Sequence, residues 1–167
     1  MTETTLPIPN GALPALRRLA DWEVRLAACF RRCARERFGW GSFDCLILPA
    51  DCILAMTDID PMARWRGRYA SRREADALLA DLAPEVAPVA RLAHVVGAVL
   101  AAHGAHAISP RHAGHGDIAL VDWPDAERDG AIAPHCGVVG GAHILLPARV
   151  GLAVVPADRA RHAWRIG

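Results

Sequence analysis

Residues 38–52 read FGWGSFDCLILPADC, and the rest of the chain is organised around them. Phe38, Gly39, Trp40 and Gly41 lead into Phe43-Asp44-Cys45, and an apolar run begins directly at the cysteine. Asp44 is suited to cap a helix, because its carboxylate can accept the free N–H groups of a first turn. A helix is therefore expected from about Asp44 to Met56, with Cys45 at its N-terminus. Unsatisfied amides and the helix dipole favour an anion there, so the thiol is expected to shift towards the nucleophilic thiolate. Pro49 removes one early helix hydrogen bond and should tighten or bend the first turn.

A cysteine read alone is equally a small buried hydrophobe. A nucleophile needs a base, and a second stretch offers one. It runs GDIALV over residues 116–121, then a loop, then PHCGVVG over residues 134–140, with His135 opening a short apolar strand. Cysteine early and histidine late, joined only by the fold, is the order of papain-like nucleophile–base pairs.

The WG…FDC block, GDIALV and HCGVV, in that order, resemble the NlpC-type cysteine peptidases that cleave bacterial cell-wall peptides. The resemblance spans roughly residues 38–146. It implies a papain-like α+β fold, with N-terminal helices packed on a C-terminal antiparallel sheet. It implies Cys45 as nucleophile and His135 as base; His143, the only polar side chain of residues 142–146, is the candidate for the residue of the next strand that orients the imidazole. Trp40, Asp44 and Tyr69 are the candidate substrate contacts; by the resemblance a tyrosine lines the groove, while anchoring of an aromatic loop on the core is an equally open reading, and no cofactor is required. Asp60-Pro61, Arg66-Gly67-Arg68-Tyr69 and the closing Gly151-Leu152…Ala163-Trp164-Arg165 are similar to a phage branch of the family. This implies a virion location in a phage tail tip, with other tail-tip proteins as partners and peptidoglycan peptides as substrate. Two departures stand out. Leu46 and Ile47 replace the small residues usual after the cysteine, and the third catalytic residue has no certain counterpart.

A chain of 167 residues suits one domain with a proper core. We expect a short N-terminal arm over residues 1–12, loose or ordered on docking, and a single domain over residues 13–167. Of the residues 53% are hydrophobic, yet no apolar run approaches a membrane span, so no membrane insertion is expected. The first residues lack the basic-then-apolar pattern of a signal peptide, which implies synthesis in the host cytoplasm. A net charge of +1 argues against a nucleic-acid partner. All 19 basic residues are arginine, which reflects GC-rich codons rather than phosphate binding. Five cysteines, an odd number, point to reduced thiols, with Cys29 and Cys33 packing one helical turn apart.

In chain order, apolar residues at three-four spacing predict a helix over residues 13–37, with Arg17, Arg18, Arg25, Arg32 and Arg35 on a solvated face. Residues 58–69 read as an irregular segment carrying Trp65 and Tyr69. Ser71 and Glu74 form a capping box that starts a helix ending near Leu82. A further helix over residues 88–103 closes at Gly104, and its 95–100 stretch should pack under the sheet. Strands are expected at 105–109, 117–122, 135–139, 142–146, 150–155 and 162–166, with Gly140-Gly141 as a hairpin turn and 122–133 as a polar loop. Helices first and an antiparallel sheet after them give an α+β domain.

His103, His106, His112 and His115, with Asp117 nearby, form two H-x-x-H pairs. A zinc site would need three or four of them to converge. Glycines and Pro110 break this segment into turns, so solvated loop histidines are the expectation and no metal site is assigned. His94 is expected at the core edge and His162 on a strand near the C-terminus. The leading functional expectation is hydrolysis of an amide bond in peptidoglycan stem peptides. The alternatives are a structural tail-tip component that keeps the fold without the chemistry, and a metal-binding module built on the histidines.

Overall fold

A computed structural model of the chain describes residues 7–167. Four helices precede a six-stranded sheet: α1 (Trp22–Cys33), α2 (Ile47–Thr57), α3 (Arg72–Leu82) and α4 (Pro88–Ala102). The strands are β1 (His106–Ile108), β2 (Ile118–Asp125), β3 (Ala131–Gly140), β4 (His143–Pro147), β5 (Leu152–Pro156) and β6 (Ala160–Arg165). Their order is β1-β6-β2-β3-β4-β5 and every neighbouring pair is antiparallel, so the domain is α+β.

The core forms where α1, α2 and α4 meet one face of the sheet. Leu26, Leu48, Ile53, Met56, Val96 and Leu100 bury against Ile118, Leu120, Cys136 and Val138. The expected packing of residues 95–100 follows from this, although Val95 and Val99 turn instead to a second cluster with Trp65 and Tyr69. Ala119, Val121, Val139, Ile144 and Val155 fill the other face of the sheet. Cys29 lies 4.0 Å from Cys33 and 3.7 Å from Cys52, sulfur to sulfur, as buried packing thiols between α1 and α2.

The first helix is shorter than its periodicity suggests. Residues 13–19 are extended, because Pro14 interrupts the pattern and their amides bond elsewhere: Leu13 to Ala102 O, Leu16 to His103 O and Leu19 to Met56 O. Arg18 is accordingly not on a solvated helix face. It stacks 4.1 Å from the Trp22 ring and pairs with Asp117. Of the expected arm, residues 1–6 lie outside the described residues, and Pro7 O accepts from Arg64 Nη1 at 3.0 Å.

The capping signals hold. Ser71 accepts the Glu74 amide, the Glu74 carboxylate reaches back to the Ala70 amide at 2.7 Å, and Gly104 takes φ +78° beyond α4. The expected loop over residues 122–133 is mostly strand. Asp122 through Asp125 pair with Pro134 through Ala131, and the turn is confined to the few residues between. Burial does alternate here, with Asp122 and Pro124 exposed and Trp123 and Asp125 turned inward, but the inward position 125 carries a carboxylate held by Arg72, so its polarity hides the strand.

Candidate functional site

Asp44 shapes the nucleophile turn. Its Oδ1 accepts the amides of Leu46 at 2.8 Å and Ile47 at 3.0 Å, its Oδ2 accepts Gly41 N–H at 2.7 Å, and its carbonyl accepts Leu48 N–H at 3.0 Å. Helical bonding thus begins at Asp44, ahead of the regular α2, and Cys45 occupies the first turn. The same geometry corrects Asp44 as a substrate contact: it is 1% exposed and both carboxylate oxygens are already engaged. Gly41 is needed for this turn. It has φ +74°, and a Cβ there would sit 2.1 Å from the Tyr69 carbonyl.

β3 carries His135 past the thiol. Val139 exchanges backbone bonds with Gly116 and Asp117 on the β2 side. Backbone direction alternates along a strand, so Pro134, Cys136 and Val138 face the opposite side. Val138 meets Leu145 of β4 there, but β4 pairs only with Val138 through Gly140. Below that level β3 has an open edge. Pro134, which has no N–H, loses no ladder bond by facing it. Cys45 fills the gap, with the Cys136 amide facing its sulfur. His135 is the adjacent residue, and both Cys45 and His135 are half-buried in one open cleft.

His135 Nδ1 lies 2.9 Å from the Ala133 carbonyl. A carbonyl can only accept, so in the neutral ring Nδ1 carries the proton and Nε2 the lone pair. The orienting group is therefore a backbone carbonyl of the same strand. His143 does not serve. It pairs with Gly140, is exposed and is absent from the cleft lining. Extending that register sets Ala148 opposite His135, five residues from His143, or about 17 Å at strand rise.

Trp40 and Tyr69 both line the cleft. Trp40 packs edge-on against Phe38 at 5.1 Å and donates Nε1–H to Glu127 at 3.1 Å, tying the nucleophile loop to the β2–β3 hairpin. Arg72 bridges the same hairpin to α3, 2.6 Å from Asp125. Tyr69 is 3% exposed. Its hydroxyl is buried near Asp44 without meeting hydrogen-bond geometry, and burial, then the Asp44 charge, pushes its pKa up. Tyr69 is held by the motif before it. Arg66 pairs with Asp60 and Asp51, and Asp60 Oδ1 accepts the Met62 amide at 2.9 Å.

Burial pushes the Cys45 thiol up to about 12, with the Asp44 carboxylate adding to it and the Cys136 and Cys45 amides pulling the other way. The expected helix-terminus activation is outweighed. Asp44 carries a full negative charge beside the sulfur, whereas a helix terminus supplies about half a positive one. Because the thiolate fraction rises tenfold per unit below the pKa, alkylation of Cys45 by iodoacetamide should rise about 100-fold from pH 7 to pH 9 without levelling off. Peptide mapping of the alkylated protein reads this. A plateau through neutral pH would instead reveal a preformed thiolate–imidazolium pair.

The histidines near β1 have separate surroundings. His103 is buried with Nδ1 2.8 Å from Pro14 O, His115 packs on Trp22 at 5.7 Å, and His106 and His112 are exposed. Among the described residues no group of three or more His, Cys, Asp or Glu is arranged to hold a metal. His94 is exposed rather than at the core edge, and His162 stacks on Trp164 at 6.1 Å. No helix among the described residues is long and apolar enough to cross a membrane.

Fold and site together define an α+β domain with a cysteine and a histidine in one cleft. Residues 17–166 match the model of a domain family of unknown function, DUF6950, and the chain belongs to that family. No curated protein matches the chain. No solved structure matches it either.

Proposed function

We propose that the protein is a cysteine hydrolase of peptide amide bonds with an NlpC-type, papain-like arrangement, acting on peptidoglycan stem peptides. The observation that carries this reading is Cys45 in the open edge of β3, under the Cys136 amide, with His135, the residue before Cys136, lining the same cleft. The raised thiol means that proton transfer and attack go together. As the Cys45 sulfur bonds to the substrate carbonyl carbon, His135 Nε2 takes the thiol proton. The Cys45 amide, at the helix start, is suited to hold the oxyanion. Nε2 then gives its proton to the leaving amine as the C–N bond breaks. Water adds to the thioester carbon, loses a proton to Nε2, and the C–S bond breaks with the proton returned to sulfur.

The sequence motifs shared with a phage branch support a phage tail tip as the setting, where the particle would bring the domain to the cell wall alongside other tail-tip proteins. A second reading, a structural tail component on the same fold, is favoured by one feature: a resting thiol pushed up to about 12. Incubation with soluble stem peptides, followed by mass spectrometry for new amino termini, tests between them. Cleavage is expected at one bond. Intact peptides after prolonged incubation would leave the structural reading.

A further inference from the structure

The charged groups of the cleft are unevenly matched. Its four acids are all engaged. Asp44 caps the nucleophile turn, Asp125 and Glu127 bond Arg72 and Trp40, and Asp76 lies 3.6 Å from Arg72 and 3.7 Å from Arg128. Two of its arginines are not. Among the described residues Arg91, on α4, bonds only the Val86 carbonyl through Nε, and Arg149, on the β4–β5 turn, meets no acid. The backbone of Arg149 is nonetheless fixed, since its carbonyl accepts the Phe38 amide at 3.1 Å. Apolar surface lines the same cleft. Val89, beside Arg91, is 77% exposed, and Ile132, across the cleft, is 66% exposed.

We infer that the cleft selects peptides bearing free carboxylates, with Arg91 and Arg149 as the specificity-determining residues. Guanidinium groups bind carboxylates with two parallel hydrogen bonds, about twice as strong as neutral ones. Two cleft cations without acid partners disfavour a cationic or neutral peptide in the same pose. The exposed Val89 and Ile132 suit the aliphatic parts of a peptide, which a small inorganic anion lacks. The inference rests on the hydrolase reading only for the identity of the cleft as the substrate site.

The test uses the full chain with Cys45→Ala, so that binding is measured without turnover. A stem tripeptide with free carboxyls and the same peptide with every carboxyl converted to amide are titrated by calorimetry. The free-acid peptide should bind about tenfold tighter or better, the scale of one or two charge-assisted hydrogen bonds. Arg91→Gln and Arg149→Gln should each narrow that preference, and together abolish it, while binding of the amide form stays unchanged. Equal binding of the two peptides, a preference that survives in the double variant, or no binding of either at millimolar concentration would overturn the assignment. Hydrolysis is read separately with Cys45 intact. Cleavage of both forms at equal kcat/KM would sink the carboxylate inference and leave the hydrolase; a binding preference without cleavage would do the reverse.

Discussion

Cys45→Ala should lower the rate of stem-peptide cleavage by about 10³-fold or more, since no other group in the cleft can form the thioester. His135→Ala should cost about 10²–10⁴-fold, the usual worth of a general base. The resting thiol makes the second loss severe. A thiol held up at about 12 is almost fully protonated at neutral pH, and without His135 the cleft lining holds no other imidazole to accept its proton during attack. The two losses should not add. Once either member is gone the pair no longer works as a unit, so the double variant should be no slower than Cys45→Ala alone. Raising the pH should partly rescue His135→Ala, because hydroxide then supplies the thiolate, and should do nothing for Cys45→Ala. Unfolding transitions of all three variants close to the parent's would show that chemistry, not folding, is lost. Additive losses, or a His135→Ala variant with full activity at neutral pH, would remove the histidine from the mechanism.

How much of this was legible in the sequence follows from the range of each signal. Local signals read well. The Asp44 cap, the Ser71–Glu74 box and the Gly104 helix end each depend on a few neighbouring residues, and each forms. Cysteine and histidine could be paired because the motifs around them are local too. What failed depends on three-dimensional placement. His143 is the only polar side chain of its strand, but strand register, which no local motif fixes, pairs it with Gly140, five residues along β3 from His135. The group that does orient His135, the Ala133 carbonyl, has no signature in a sequence, because every residue carries one. Activation by a helix terminus was inferred from position alone. Burial of Cys45 under β3 opposes it, and burial depends on the whole fold. Residues 13–19 have helical spacing yet pair with the ends of α2 and α4, where tertiary bonds outweigh a weak intrinsic preference.

Asp117, which the sequence places in the GDIALV motif and beside the histidines without a role of its own, should be among the most costly residues to remove. It is 1% exposed at the start of β2. Its Oδ1 accepts from Arg18 Nη2 at 2.9 Å and from the Ile166 amide at 3.1 Å, and its Oδ2 accepts the Gly114 amide at 2.9 Å. Arg165 Nε completes the shell as an ion pair at 3.2 Å, without hydrogen-bond alignment. One carboxylate thereby ties the N-terminal segment, the turn before β2 and the C-terminal end of β6. Asp117→Ala would leave two guanidinium groups beside each other and two amides without an acceptor, and should cost about 3–5 kcal/mol, as breaking a buried pair does. Asp117→Asn keeps the shape and one acceptor oxygen but not the charge, and should fall between. The cleft residues Trp123 and Asp125 sit six to eight positions along β2, about 20–27 Å away at strand rise. The loss should therefore appear in the urea midpoint, while kcat/KM of the folded fraction stays near the parent value. A midpoint within about 1 kcal/mol of the parent would mean that the desolvation cost of Asp117 cancels its four contacts, as happens for some buried ion pairs.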